Sequence, residues 1–332
     1  MPKFDKVMVL GSNSFSGASF CAYLLKQGVD VIGVSRSEEA NSVYLPYKWT
    51  DTDQNFRFYQ YDLNNDLDEI IALVKREKLS CIVNFAAQSM VGQSWEMPEH
   101  WFQTNAVSTT KLINALKKID FLSRYVHVTT PEVYGSTDRF ITEDEPFNPS
   151  TPYAVSRAAG DMSLKSYMDA YDFPALMTRA ANVYGAGQPL YRIIPRMIYF
   201  IKTGQKLDLH GGGVSQRSFI HMEDVAKATW QIATEATVGQ TYHISTNEIV
   251  TVRQLVEKIC SRLKVSFEDY VNVGEERLGK DQAYLLSSEK LRQELGWTDQ
   301  VTLDDGIDEC IQWVERNLDV LKTMPQSYIH KP

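Results

Sequence analysis

Residues 6–34 read as strand, glycine-rich turn, helix and strand, and that order leaves few folds open. The apolar run 6–10 stops at Gly11, and the turn 11–17 reads Gly-Ser-Asn-Ser-Phe-Ser-Gly. A helix follows over 18–27, ending at Gly28, and a second apolar run occupies 30–34. Two parallel strands joined by a helix within about thirty residues form a βαβ unit, from which doubly wound sheets are built. The turn has a chemistry of its own. Gly11 permits the tight bend and Gly17 the close approach of the helix, while the helix amino terminus offers unpaired N–H groups to a pyrophosphate. Ser14 stands where a dinucleotide-binding turn has its middle glycine, followed by Phe15. A glycine turn in another α/β protein would look similar, so the turn alone does not decide the ligand.

The second strand ends at Ser35 and Arg36 with no acidic residue at its tip. A carboxylate there would bind the ribose 2′-hydroxyl of NAD, whereas a hydroxyl followed by arginine accepts a 2′-phosphate, so the pair leans towards NADP. A third strand over 56–61 ends at Asp62 and Leu63, and a fourth over 81–85 enters Ala86-Ala87-Gln88-Ser89. The alanines leave room for a flat group against the backbone; tight packing of strand on helix would use them equally. An amphipathic helix over 66–78 and a long helix over 98–118, carrying Asn105, separate strands three, four and five. Strand and helix keep alternating through 175–179, and the expected class is α/β, a Rossmann-type doubly wound parallel sheet.

The fifth strand begins the run 126–135, VHVTTPEVYG, which delivers Thr130 and Glu132 to a carboxyl end, the edge where such sheets keep their chemistry. Ser150, Thr151 and Pro152 then form a helix start, placing Tyr153 and Arg157 four residues apart on one face. A tyrosine of reference pKa near 10 acts as a base at neutral pH only if its anion gains about 4 kcal/mol, and a neighbouring cation contributes to that. Spacing alone is weak evidence, since roughly two Tyr-x-x-x-Lys/Arg pairs arise by chance in such a composition. Tyr44 with Lys48 is another, but Pro46 between them argues against a helix. A partly desolvated Glu132 suits removal of a carbon-bound proton next to a carbonyl; its plainer role is a loop ion pair.

After Gly185 the alternation breaks. Residues 189–195 read as irregular, 196–203 as helix, 206–210 as a short strand, and Gly211-Gly212-Gly213 as flexible. The rest is mostly helical (252–263, 287–295, 303–317) with a proline-containing tail. The expected division is a dinucleotide domain over 1–185, rejoined by 217–246, and a smaller, mostly helical substrate lobe over 186–216 and 247–332. Net charge of −8 without a block of like charge argues against nucleic acid or an anionic membrane as partner. Cys21, Cys81, Cys260 and Cys310 make no metal spacing and read as reduced thiols. The first residues run into a strand, not a secretory signal, and no apolar run has membrane-spanning length, so a cytoplasmic location is expected.

The segments GSNSFSG, NFAAQS, TTPEVYG, TPYAVSRAAGD, ANVYG, RSFIHMEDVAKA and ERLGKDQAYLLSSEKLRQELGW follow one another as in the extended short-chain dehydrogenase/reductases. Over roughly 5–315 the chain resembles the nucleotide-sugar 4,6-dehydratases among them, those acting on dTDP-glucose in particular. The resemblance implies a lyase of deoxysugar biosynthesis with tightly bound NAD or NADP, taking an NDP-hexose to the 4-keto-6-deoxy sugar. It implies that Thr130 orients the sugar 4-oxygen, Tyr153 is the base for its proton and Glu132 the base at C5. Gly11, Ser14 and Gly17 match the pyrophosphate loop; Ala86, Ala87 and Gln88 the nicotinamide half; Asn182, Arg192, Arg217 and Tyr284 the nucleotide and its diphosphate. Phe15, Ser35, Arg36, Asp62, Leu63 and Asn105 join the expected cofactor set, and Ser89 the substrate set. A homodimer through helices 98–118 and 152 onward is implied too. Two positions depart from the pattern: Pro131 replaces an aspartate that protonates the departing C6 hydroxyl, and Arg157 replaces a lysine. A 4-epimerase of the same family, or a catalytically weak cofactor-binding subunit, are the competing readings.

Overall fold

In a computed structural model the protein is described over residues 4–274, 283 and 285–332. Its centre is a seven-stranded parallel sheet. The strands are β1 (Lys6–Leu10), β2 (Asp30–Ser35), β3 (Phe56–Gln60), β4 (Cys81–Asn84), β5 (Arg124–Thr129) and the strands Ala175–Ala180 and Thr241–Ile244. The last two stand side by side beyond β5, while β4 and β2 flank β1. Met8 pairs with Ile32 on one side and Ile82 on the other. Chain direction therefore reverses its winding between β1 and β4, which opens a crevice at their carboxyl ends.

Both faces are covered, as the near-continuous apolar runs of β1, β2 and β4 require. Helices α1 (Phe15–Lys26) and α7 (Met222–Glu235) close one side through Phe20, Leu24, Val225 and Ile232. On the other side α2 (Leu67–Glu77), α4 (Thr109–Leu116) and α5 (Pro152–Tyr171) bury Leu73, Leu112, Leu116 and Leu164. A second core forms around α6 (Ile193–Thr203) and the helices Val252–Leu263 and Leu303–Arg316, with Met197, Leu255 and Ile307 buried.

Four local readings change. The helix over 98–118 is interrupted: α3 (Pro98–Phe102) runs through a π turn, Gln103–Ser108, into α4. Such a wide turn marks a place where a side chain is held for a purpose, and Asn105 lies within it. α6 starts at Ile193, with Pro195 inside its first turn, where no N–H is needed. Residues 211–213 are no loose hinge but a 3₁₀ turn, and a Cβ on Gly213 would stand 2.8 Å from the Arg253 nitrogen. Two segments also cross between the lobes. Val43, from the loop after β2, packs in the second core, and Gln216–Arg217 pairs with Val250–Thr251.

Candidate active site

The crevice at the ends of β1, β2 and β4 is a cavity of about 830 Å³. Gly11 turns β1 into α1 at φ +80°, and a Cβ there would meet the Ala86 nitrogen at 2.7 Å. A Cβ on Gly17 would lie 2.2 Å from the Gly11 oxygen. Both glycines are thus obligatory for the turn, with Gly11 in the left-handed region. Ser14 caps α1, its hydroxyl accepting from the Gly17 nitrogen at 3.0 Å. Serine instead of the middle glycine therefore serves the helix start.

Gly11, Ser14, Ser35, Arg36, Asp62 and Leu63 line this cavity, as do Ala86, Ala87, Gln88 and Ser89. Phe15 instead packs against the core beneath α1. Asn105 is buried behind the crevice and grips the Gln88 backbone from both sides. Its Oδ1 accepts from the Gln88 nitrogen at 2.9 Å and its Nδ2 donates to the Gln88 oxygen at 3.0 Å. It positions the β4 loop rather than reaching into the cavity. Ser35 accepts from the Asn13 nitrogen at 3.0 Å, an Asn that sequence reasoning passed over. Asp62 is engaged by its own turn, accepting from the Asn64 nitrogen at 2.9 Å.

At the end of β5, Thr130 caps the short turn Pro131–Tyr134, its hydroxyl accepting from the Glu132 nitrogen at 3.3 Å. The first turn of α5 is held by Thr151, which accepts from the Ala154 nitrogen at 3.1 Å, and by Ser94, which accepts from the Tyr153 nitrogen at 3.2 Å. That places the buried Tyr153 beside the Thr130 side chain, which favours the tyrosine's anion. Burial holds this phenol above the usual tyrosine range, and the Glu132 charge adds to the effect; Arg157, the Thr130 side chain and Arg192 pull the other way. The expectation that Arg157 makes Tyr153 acidic is thus half met: its field has the right sign, and desolvation outweighs it. Arg157 itself is buried, donates from Nη2 to the Val128 oxygen, and keeps an Nε without an acceptor among the described residues.

Behind Arg157 lies a buried polar chain that the sequence reading did not find. Asp161 accepts from Thr129 Oγ1 at 3.0 Å and from Arg179 Nη2 at 2.8 Å, and its other oxygen stands 3.6 Å from His127 Nε2. Arg179 Nη1 donates to the Tyr134 hydroxyl at 2.9 Å, itself 2.8 Å from His243 Nε2. Burial, aided by the Arg157 charge, pushes His127 down to about 3. Burial and the Arg179 charge do the same to His243, also to about 3. Both are therefore neutral spacers at neutral pH. An arginine inside the apolar run 175–180 was the available signal.

On the second-lobe side, Asn182 opens a short strand paired with Phe219–His221, Arg192 precedes α6 with its guanidinium over the Tyr191 ring at 5.5 Å, and Arg217 is buried. Tyr284 lies outside the described residues. Among the described residues no group of His, Cys, Asp or Glu has the arrangement of a metal site.

A nicotinamide dinucleotide fits these residues. The two glycines hold the β1 turn tight, a capped helix amino terminus faces the crevice, and Arg157, its Nε without an acceptor among the described residues, lies one helical turn from Tyr153. Tyr153 and Arg157 one turn apart beside a strand-end threonine set the protein among the extended short-chain dehydrogenase/reductases. The branch follows from comparison. Residues 8–310 match the family model described as GDP-mannose 4,6 dehydratase, and the chain belongs to that family. It is 32% identical to dTDP-D-glucose 4,6-dehydratase of Mus musculus over 80% of this chain and 75% of that one. It is 30% identical to the low-salt glycan biosynthesis protein Agl12 of Haloferax volcanii over 92% and 97%. The crystal structure of DesIV, a dTDP-glucose 4,6-dehydratase from Streptomyces venezuelae solved with NAD bound, superposes with a TM-score of 0.87 at 29% identity, covering 95% of this chain and 98% of that one.

Proposed function

We propose that the protein is a nucleotide-sugar 4,6-dehydratase, a lyase that converts an NDP-hexose into its 4-keto-6-deoxy form. The observation that carries this is the meeting of Thr130, Glu132 and Tyr153 at one sheet edge, with Tyr153 in the field of Glu132 and its anion favoured by the Thr130 side chain. A C4-oxidising enzyme that eliminates nothing has no use for the glutamate. A bound nicotinamide dinucleotide supplies the hydride acceptor at C4 and the donor at C6, held by the 11–17 turn and the 86–88 loop. NAD is the form we assign, for a reason developed below; the chemistry of Ser35 and Arg36 taken alone favours NADP.

The residues then divide the proton work. Thr130 holds the sugar 4-oxygen, and Tyr153, as the phenolate that the Arg157 charge favours, takes its proton and becomes the neutral phenol. A carbonyl at C4 acidifies C5–H, and Glu132 takes that proton. Pro131 has no proton to give, so the same Glu132, now a carboxylic acid, delivers it to the departing C6 hydroxyl; water leaves and the carboxylate is restored. Asn182, Arg192, Arg217 and Tyr284 receive the nucleotide and its diphosphate, guanidinium pairing bidentately with phosphate oxygens.

A homodimer is proposed from the face of α5 that carries Val155 and Met162, 39% and 64% exposed, next to Phe102 and Val107 of the α3 stretch. Four unpaired cysteines support a reducing, cytoplasmic setting. No helix among the described residues is long and apolar enough to cross a membrane.

Incubation with dTDP-, UDP-, GDP- and CDP-hexoses in deuterated water tests the function. A product lighter by one water with deuterium at C5 is expected and names the substrate; mass-neutral conversion would make the protein a 4-epimerase instead.

A further inference from the structure

The segment 325–332 does not stay with the lobe it leaves. Its Gln326 oxygen accepts from Arg196 Nη2 at 2.9 Å, and Tyr328 sets its ring edge-on to Tyr191 at 5.5 Å. His330 then stacks within 10° of parallel on Trp101 at 4.9 Å and on His100 at 5.1 Å, its Nε2 lying 2.8 Å from His100 Nδ1. Beyond these anchors the chain crosses the mouth of the dinucleotide cavity, where Tyr328, Ile329 and Lys331 form part of the wall.

There it meets the tip of β2. Arg36 donates from Nη2 to the Lys331 oxygen at 3.1 Å and from Nη1 to the Pro332 oxygen. Gln88 Nε2 donates to the same Lys331 oxygen at 2.8 Å. Lys331 Nζ turns away to Ser37 Oγ at 3.0 Å. One donor on each terminal nitrogen of Arg36 thus goes to a strap oxygen, which turns the fork towards the strap, and Glu38 and Glu39 stand in the same wall. The position is the one at which a Rossmann sheet reads the adenosine ribose. A 2′-phosphate placed there needs the Arg36 fork and meets two carboxylates; a 2′-hydroxyl needs neither.

We propose that the segment 325–332 selects the cofactor: by engaging Arg36 it withholds the guanidinium from the ribose 2′ position, so that NAD and not NADP is bound. The inference rests on the dinucleotide reading of the cavity. It makes the residue that in sequence leans towards NADP part of a device that excludes it.

The test measures binding, not turnover. The full-length protein, stripped of cofactor, is titrated with NADH and NADPH by nicotinamide fluorescence, beside the full-length double variant Tyr328→Gly/His330→Gly, which frees the strap from its ring contacts. Wild type is expected to prefer NADH, and the double variant to tighten on NADPH relative to NADH by about tenfold or more, the scale of a charge-assisted contact. Adding Arg36→Ala is expected to erase that gain. NADH and NADPH affinities whose ratio stays within about twofold of wild type, or a double variant that loses NADPH because Lys331 had been its partner, would overturn the strap while leaving the cavity a dinucleotide site. Failure of every version to bind either dinucleotide would overturn both readings.

Discussion

The Thr130 side chain favours the anion of Tyr153, although one caps the turn after β5 and the other sits in the first turn of α5. Two separately capped elements therefore converge on one corner of the sheet edge. The hydroxyl of Thr130 accepts from the Glu132 nitrogen, so Thr130 and Glu132 share a single backbone corner, with Tyr153 set against it by α5.

Tyr153→Phe keeps the ring and removes the hydroxyl. Turnover is expected to fall by about 100- to 10,000-fold, with the melting temperature little changed. Stopped-flow absorbance at the reduced nicotinamide band checks the step: no C4 oxidation is to be seen.

Glu132→Gln separates the two halves of the reaction. Oxidation at C4 is expected to survive, while exchange of C5–H with deuterated solvent and release of water both stop. Exchange at the wild-type rate would move the C5 base to another residue.

Arg157 acts on Tyr153 through charge. Its field lowers the phenol's proton affinity, so Arg157→Met is expected to shift the midpoint of the rising, acid-side limb of kcat/KM to higher pH. Arg157→Lys keeps the charge and is expected to leave the midpoint near wild type. A pH profile identical in all three proteins would remove Arg157 from the proton transfer.

Asp161→Ala strands Arg179 in the interior, where both side chains are almost wholly enclosed. Unpaired burial of that charge is expected to cost about 3–5 kcal/mol in urea unfolding. Asp161→Ala combined with Arg179→Met is expected to recover part of it.

His127 and His243 carry native pKa values near 3, far below the ordinary histidine value of 6.5. The unfolded chain therefore takes up protons before the folded one does, and stability falls as pH drops below about 6.5. Each imidazole contributes up to about 1.4 kcal/mol per pH unit. Between pH 6.5 and 5, His243→Gln is expected to make the slope of unfolding free energy against pH shallower. An unchanged slope would mean that these rings are not neutral in the native protein.

The main sheet was legible because buried parallel strands leave continuous apolar runs and glycine marks the turn that must approach β4 closely. The start of α5 was legible too, since Thr151 and Pro152 do at that position what their chemistry allows nowhere else in a helix. Tyr44 and Lys48 were rightly set aside: Pro46 divides them between two 3₁₀ turns, and Lys48 pairs with Glu39 at 2.9 Å. The π turn at 103–108 left no trace in the hydrophobic period, because the helices on either side of it, five and eight residues long, are too short to establish a phase of their own. Nor did the partnership of Asp161 with Arg179 or of Arg36 with 331–332, since contacts between distant segments depend on how the chain returns and not on any local pattern.

The π turn between α3 and α4 sets the angular phase of everything upstream of it. A residue removed from 103–108 would restore an uninterrupted α-helix and rotate α3 by about 100° against α4. Trp101, fully buried, and Phe102, partly exposed, would exchange sectors. The stacking platform that Trp101 and His100 offer to His330 would then face elsewhere, while Gly160 of α5 lies so near Asn105 that a Cβ would be 2.4 Å from its oxygen. Length in this stretch is therefore less tolerant than side-chain identity: a single-codon deletion at 103–108 would misalign two distant contacts at once, whereas most substitutions on its outer surface would disturb neither.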